Sequence, residues 1–242
     1  LKNVEMKSRL FFIALTILLV ISGCSQEYDG RKFLSHRGMH VRLTAAGENS
    51  IEAVRLTRLA GFHAIETDVR WTSDSVLVIM HDRTLNRTCL NSDGTPIEKP
   101  VEVEDCTMAQ LKSDYILKSD REEMRTRIPT LEEYLKVCKE EELQVFIEPK
   151  IYDASGRFYL DIMACADTIF GRGNYIVTSN NFANTIIRDS LHIYDVPLMG
   201  ILYQTTYEDI VSKSNIIMAI STSKFKPNEY AANVRRSKAD GL

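Results

Sequence analysis

Seven short apolar runs recur along this chain, most of them separated by helix-like segments, and that alternation limits the fold more than any other feature. The runs are Lys32 to Ser35, Ala64 to Val69, Val76 to Met80, Leu143 to Ile147, Tyr175 to Thr178, Val196 to Leu202 and Ile216 to Ile220. Continuous Val/Ile/Leu character means that both faces of a strand are buried, as in a parallel sheet covered by helices. Helices are predicted over Ser50 to Ala60, Arg157 to Phe170, Phe182 to Leu191, Tyr207 to Lys213 and Asn228 to Lys238. Another runs from a cap at Thr130 to Glu141, with Glu133 completing a capping box. The order predicts an α/β fold, a TIM-type (β/α)8 barrel over residues 32–242 that lacks its last strand, because an eighth strand would begin near Gly241-Leu242. The polar section 83–127 breaks the rhythm and reads as an insertion, with a turn at Ser92-Asp93-Gly94 and a short helix near Met108 to Ser113.

The residues ahead of the barrel do not suit a packed domain. Lys7 and Arg9 follow Met6, an apolar run extends from Leu10 to Ile21, and Ile21-Ser22-Gly23-Cys24 closes it. A run this short reads as the core of a signal peptide rather than a full membrane span. Its end resembles the bacterial lipobox, in which the cysteine is lipidated after cleavage. The expectation is a signal peptide over 1–24, a lipid on Cys24, a polar tether over 25–31, and an exported lipoprotein anchored to a membrane of a bacterial envelope. Of the other cysteines, Cys138 and Cys165 fall in helical patterns, and Cys89 with Cys106 is the pair expected as a candidate disulfide. A net charge of −3 shows no basic excess, so nucleic acid is not an expected partner.

Four segments carry chemical groups at the C-terminal ends of predicted strands, where barrel enzymes place their sites: His36-Arg37-Gly38, Glu66-Thr67-Asp68, His81-Asp82 and Glu148-Pro149-Lys150. Glu66 and Asp68 are two apart on a strand and so share a face. Two carboxylates turned into a barrel repel each other and lose hydration unless a cation joins them. With Glu148 they form an all-oxygen set suited to a hard cation such as Mg²⁺ or Ca²⁺. His36 and His81 suit acid and base roles. Arg37 and Lys150 add positive charge suited to a phosphate. His40, His63 and His192 read as structural groups.

These segments, together with Glu48-Asn49-Ser50, Ala60-Gly61, Leu85-Asn86-Arg87-Thr88 and Ile128-Pro129-Thr130-Leu131-Glu132-Glu133, resemble the glycerophosphodiester phosphodiesterase family from about Phe33 to Lys150. The resemblance implies His36 and His81 as general acid and base, and Glu66, Asp68 and Glu148 as ligands of one divalent metal. It implies Arg37 and Lys150 on the phosphate of a small glycerophosphodiester, and Glu48 close to the metal and the substrate hydroxyls. It also implies attack of a neighbouring glycerol hydroxyl on phosphorus, followed by opening of a cyclic phosphate by water. Gly47 and Ser50 depart mildly from the family pattern, and Trp71, the single tryptophan, is far from the last strand where the family commonly carries one. Competing readings are a lipid-directed phosphodiesterase on the same scaffold and a lipid-anchored phosphate-binding protein without activity. A carboxylate-pair glycosidase would leave both histidines and Lys150 without work.

Overall fold

The computed structural model describes residues 33–40, 46–179, 183–202, 206–213, 215–220 and 223–241. The expected signal peptide, Cys24 and the tether lie outside the described residues. The strands, in chain order, are β1 (Leu34–His36), β2 (Ala64–Trp71), β3 (Leu77–Ile79), β4 (Cys89–Asn91), β5 (Tyr115–Leu117), β6 (Gln144–Pro149), β7 (Ile176–Ser179), β8 (Leu198–Ile201) and β9 (Ile216–Ala219). The helices are α1 (Ile51–Leu59), α2 (Met108–Asp114), α3 (Leu131–Glu140), α4 (Arg157–Phe170), α5 (Ala183–Ser190), α6 (Tyr207–Val211) and α7 (Pro227–Ala239).

The longest strand, β2, organises the rest. It is buried from Ala64 to Arg70, and its side chains divide by parity. Ile65 and Val69 join the main apolar core, which takes Val145 and Ile147 from β6, Val177 from β7 and Leu198 from β8. Tyr134 and Leu135 of α3 and Phe158 and Ile162 of α4 close that core from the helical side. Each such side chain contributes about 1.5–3 kcal/mol through burial. Glu66, Asp68 and Arg70 alternate with these residues and face the opposite way. A parallel path runs β1-β2-β6-β7-β8-β9, and among the described residues no pairing joins β9 back to β1. The α/β architecture is therefore a curled parallel sheet of TIM type without full closure.

One predicted strand differs in direction. Val76 to Met80 forms β3, but β3 pairs antiparallel with the outer end of β2, Val69 opposite Ile79 and Trp71 opposite Leu77. The connection is a tight turn in which Thr72 donates to Asp74 and Ser75 adopts a φ of 59°. A parallel return needs a crossover of a dozen residues or more, which this turn cannot supply. The section 83–127 is more ordered than an open polar loop. β4 and β5 make a two-stranded antiparallel ribbon, and Leu85, Cys89, Val103, Leu111 and Leu117 pack with Val78 and Met80 into a second apolar cluster. Cys89 and Cys106 are free thiols in that cluster, so the candidate pair is not joined. Burial pushes the Cys89 thiol up to about 12, and the pair serves as small apolar filling.

Local signals set the helix starts. Ser50 caps α1 by accepting from the Ala53 amide at 3.0 Å. Thr130 and Glu133 form the predicted capping box on α3, and Thr107 with Gln110 forms a second one on α2.

Candidate active site

Strand register assembles the site. His36 of β1 lies opposite Glu66 of β2, and Asp68 of β2 lies opposite Glu148 of β6. Glu66, Asp68 and Glu148 each offer a carboxylate oxygen, and these oxygens all lie within 4.8 Å of one another. Glu66 Oε1 is buried without a hydrogen-bond partner, and so is Asp68 Oδ1, although Lys150 Nζ approaches the latter at 3.3 Å. Burial pushes the Glu66 carboxyl well above the usual range, and the charges of Asp68 and Glu148 push it the same way. Buried oxygens without donors and mutually repelling carboxylates are the state that a hard cation would relieve, so the donor set fits a divalent metal.

Cationic groups border the cluster. Lys150 Nζ donates to Glu148 Oε1 at 2.6 Å. Arg37 Nε lies 3.3 Å from Asp68 Oδ2, and its backbone amide reaches both the main chain of Glu66 and Glu66 Oε2. Arg37 holds a left-handed φ of 57° in the turn after β1. Gly38 follows at φ +75°, where a Cβ would sit 2.7 Å from the Ala53 side chain, so the turn can press against α1 only with glycine there.

The histidines stand beside these groups. His36 Nε2 lies 3.8 Å from Glu66 Oε2. Partial burial and the Arg37 charge hold His36 below its ordinary pKa, and the charges of His40 and His81 act in the same direction. His81 Nδ1 meets Asp82 Oδ1 at 2.6 Å. Asp82 also accepts from Arg87, which lowers its carboxyl to about 2. Arg87 grips Glu48 with two bonds of 2.7 Å, and Glu48 reaches Arg37 at 3.4 Å. Burial of Glu48 opposes ionisation, but the Arg87 bonds and charge outweigh it and lower its pKa. A continuous chain of charges thus connects His81 to Arg37. A cavity of about 400 Å³ opens beside it, lined by Glu48, Arg87, His40, Leu90, Lys118 and Asp120.

Every site residue singled out in the sequence lies in this one region, apart from Cys24, which is outside the described residues. Two working parts were not singled out from residue chemistry. Asn49 donates to Asp68 Oδ2 at 2.9 Å and accepts from Thr67, which locks the buried carboxylate. Arg87 ties Asp82 to Glu48. Both occur in the motifs quoted above, but only folding shows that Asn49 reaches across to β2.

The Glycerophosphoryl diester phosphodiesterase family matches residues 36–239. The chain belongs to that family. Among curated relatives, the human glycerophosphodiester phosphodiesterase 1 is 31% identical over 105 residues, 43% of this chain and 30% of that protein. The glycerophosphodiester phosphodiesterase of Caldanaerobacter subterraneus subsp. tengcongensis is 33% identical over 118 residues, 48% of this chain and 44% of that protein. The matches therefore cover less than half of either relative. An Oleispira antarctica phosphodiesterase, solved in complex with the product sn-glycerol-3-phosphate, superimposes with a TM-score of 0.65 at 19% identity. That superposition covers 88% of this chain and 82% of the other and shows a shared fold.

Proposed function

We propose that this protein hydrolyses glycerophosphodiesters to glycerol 3-phosphate and an alcohol, using one divalent cation, Mg²⁺ or Ca²⁺, and proton transfer by His36 and His81. The observation that carries the reading is the convergence of three carboxylates, two buried and one half-buried, within 4.8 Å, bordered by Arg37 and Lys150, in a member of this family.

Glu66, Asp68 and Glu148 would hold the cation, whose chemistry there is Lewis-acid stabilisation of charge on the phosphate oxygens. Arg37 and Lys150 would bind the phosphate as fixed positive groups. Both now pair with carboxylates at the edge of the cluster, so they are oriented toward an anion without needing to fold around it. Glu48 keeps Arg37 and Arg87 in place. Asp82 occupies Nδ1 of His81, which leaves Nε2 as the atom for proton transfer. With His36 beside Glu66, one imidazole would accept the proton of the attacking hydroxyl and the other would donate to the departing alcohol.

The test is release of glycerol 3-phosphate from glycerophosphocholine with Mg²⁺ or Ca²⁺ and with chelator. Release that chelator abolishes is the expected result. A folded protein that binds glycerol 3-phosphate but never turns over would replace the hydrolase with a binding module. We further propose that Cys24 carries a lipid that anchors the exported protein. Palmitate labelling that survives Cys24→Ser would reject that anchor.

A further inference from the structure

We propose that Arg70 is a positioning residue for His81, held in turn by Glu104, so that the insertion sets the alignment of the histidine. This rests on the proton-transfer role given to His81 above.

Arg70 continues the inward-facing row of β2, two residues beyond Asp68 and four beyond Glu66. It is 9% exposed. Its Nε donates to the His81 carbonyl at 3.1 Å, and its Nη1 meets Glu104 Oε1 at 2.8 Å. Glu104 sits in the 3₁₀ turn Val103–Asp105, whose Val103 belongs to the second apolar cluster and whose amide at Val103 donates to the Arg83 carbonyl. The arginine therefore spans two bodies, the strand that carries two of the three carboxylates and the packed insertion.

His81 needs such a link. It stands where the chain leaves the β2–β3 hairpin, just after the bond from the Met80 amide to the Asp68 carbonyl. Its ring partner Asp82 is the next residue, and Arg87, which holds Asp82, is five residues further on. Those bonds orient the ring relative to its own stretch of chain. The β2–β3 pairing and the Met80 amide fix the chain up to Met80, and the Arg87–Glu48–Arg37 contacts lead back to Asp68, but none of these holds the His81 backbone itself. The Arg70 bond does, tying the His81 carbonyl to the strand that also carries Asp68. Proton transfer is sensitive to such alignment, and a misplacement of about 1 Å can lower a rate on the order of 100-fold. Methionine would fill the same volume as the buried arginine stem, whereas the two polar bonds are what methionine cannot make.

The variants are Arg70→Met, Arg70→Lys, Glu104→Ala and Glu104→Gln, assayed on glycerophosphocholine with saturating Mg²⁺. Arg70→Met is expected to lose about 10- to 100-fold in kcat with KM within about 2-fold of wild type. Arg70→Lys, which can reach the carbonyl or Glu104 but not both, should recover part of the loss. Glu104→Gln should retain most of the rate that Glu104→Ala loses, because the amide still accepts from Nη1. A second readout does not depend on turnover. In ¹⁵N-labelled protein the His81 ring should show one Nδ1-protonated tautomer in wild type and mixed, broadened signals in Arg70→Met and Glu104→Ala. Mn²⁺ affinity by calorimetry should stay within about 2-fold of wild type in both.

Unchanged kcat and unchanged His81 signals in folded Arg70→Met overturn the proposal. So does a parallel loss of kcat and Mn²⁺ affinity, which would make Arg70 a support of the carboxylates instead. If Arg70→Met does not fold, Glu104→Ala decides by the same criteria. A wild-type protein without turnover would sink the hydrolase reading, while the ring signals would still decide whether Arg70 positions His81.

Discussion

Replacing Glu66 with glutamine separates the metal reading from a purely electrostatic one. Glu66 Oε1 is buried without a donor, and the carboxyl's pKa is raised by burial and by the charges of Asp68 and Glu148. A cation present at about 100 times its dissociation constant stabilises the folded state by about 2.7 kcal/mol. For a domain of this size each kcal/mol moves Tm by about 2–4 °C, so wild type should gain about 5–10 °C with millimolar Mg²⁺ or Ca²⁺. Loss of an outer-shell partner alone weakens metal affinity by about 10- to 100-fold, so removing one of three direct ligands should cost at least the upper end, about 100-fold. At the same metal concentration the variant would gain about 0.4 kcal/mol, or about 1 °C. Without metal the ranking reverses. The folded protein holds the Glu66 proton more tightly than the unfolded chain, whose glutamates titrate near 4.5. Stability from this group is full below that pH and is lost as pH rises through the raised folded value. Metal-free wild type should therefore lose Tm relative to Glu66→Gln as pH rises above about 4.5. Differential scanning fluorimetry over a pH series, with chelator and with metal, reads both effects. A wild-type Tm indifferent to Mg²⁺, Ca²⁺ and Mn²⁺, or a variant that keeps the full shift, would refute the three-carboxylate cation site.

Other substitutions probe separate parts of the design. His36→Ala and His81→Ala should each lower kcat by about 10²- to 10⁴-fold with an unchanged far-UV spectrum, and near-normal turnover in either would reject its role. Arg87→Met should slow turnover by about 10-fold by releasing both Asp82 and Glu48. In acid titrations, Asp82 of wild type gives up its stabilising contribution between its ordinary 3.8 and about 2 as pH falls, and the variant should lack that component of the unfolding curve. Gly38→Ala forces a Cβ to within 2.7 Å of the Ala53 side chain at φ +75°, so a loss of about 2–4 kcal/mol is expected in urea titrations. Thr130→Ala removes the capping box of α3 and should lower Tm by about 2–4 °C, the effect of about 1 kcal/mol.

Much of this site is legible because its residues sit at fixed offsets along strands. The two-residue spacing of Glu66 and Asp68 specifies a shared face, and the apolar run before Glu148 identifies another strand end. Helix α4 is also legible, since Arg157 to Phe170 carries its own periodic pattern. Two failures have physical causes. The direction of β3 depends on the length of the Thr72 to Val76 connection, which apolar patterning ignores. The order within 83–127 comes from short strands of three residues and one shared apolar cluster, too brief to show a period. Arg70 and Asn49 act through partners 11 and 19 positions away, contacts that depend on register and on a left-handed turn.

β2 is hydrogen-bonded along one edge by β6 and along the other by β1 and then β3. Two of the three anionic donors therefore hang from a ribbon clamped on both sides, and the third hangs from its immediate neighbour. The gap between them is a dimension of the sheet itself. If a cation binds there, as proposed, discrimination between a small and a large alkaline-earth ion would follow from the spacing that the sheet sets, with little help from loops closing around it.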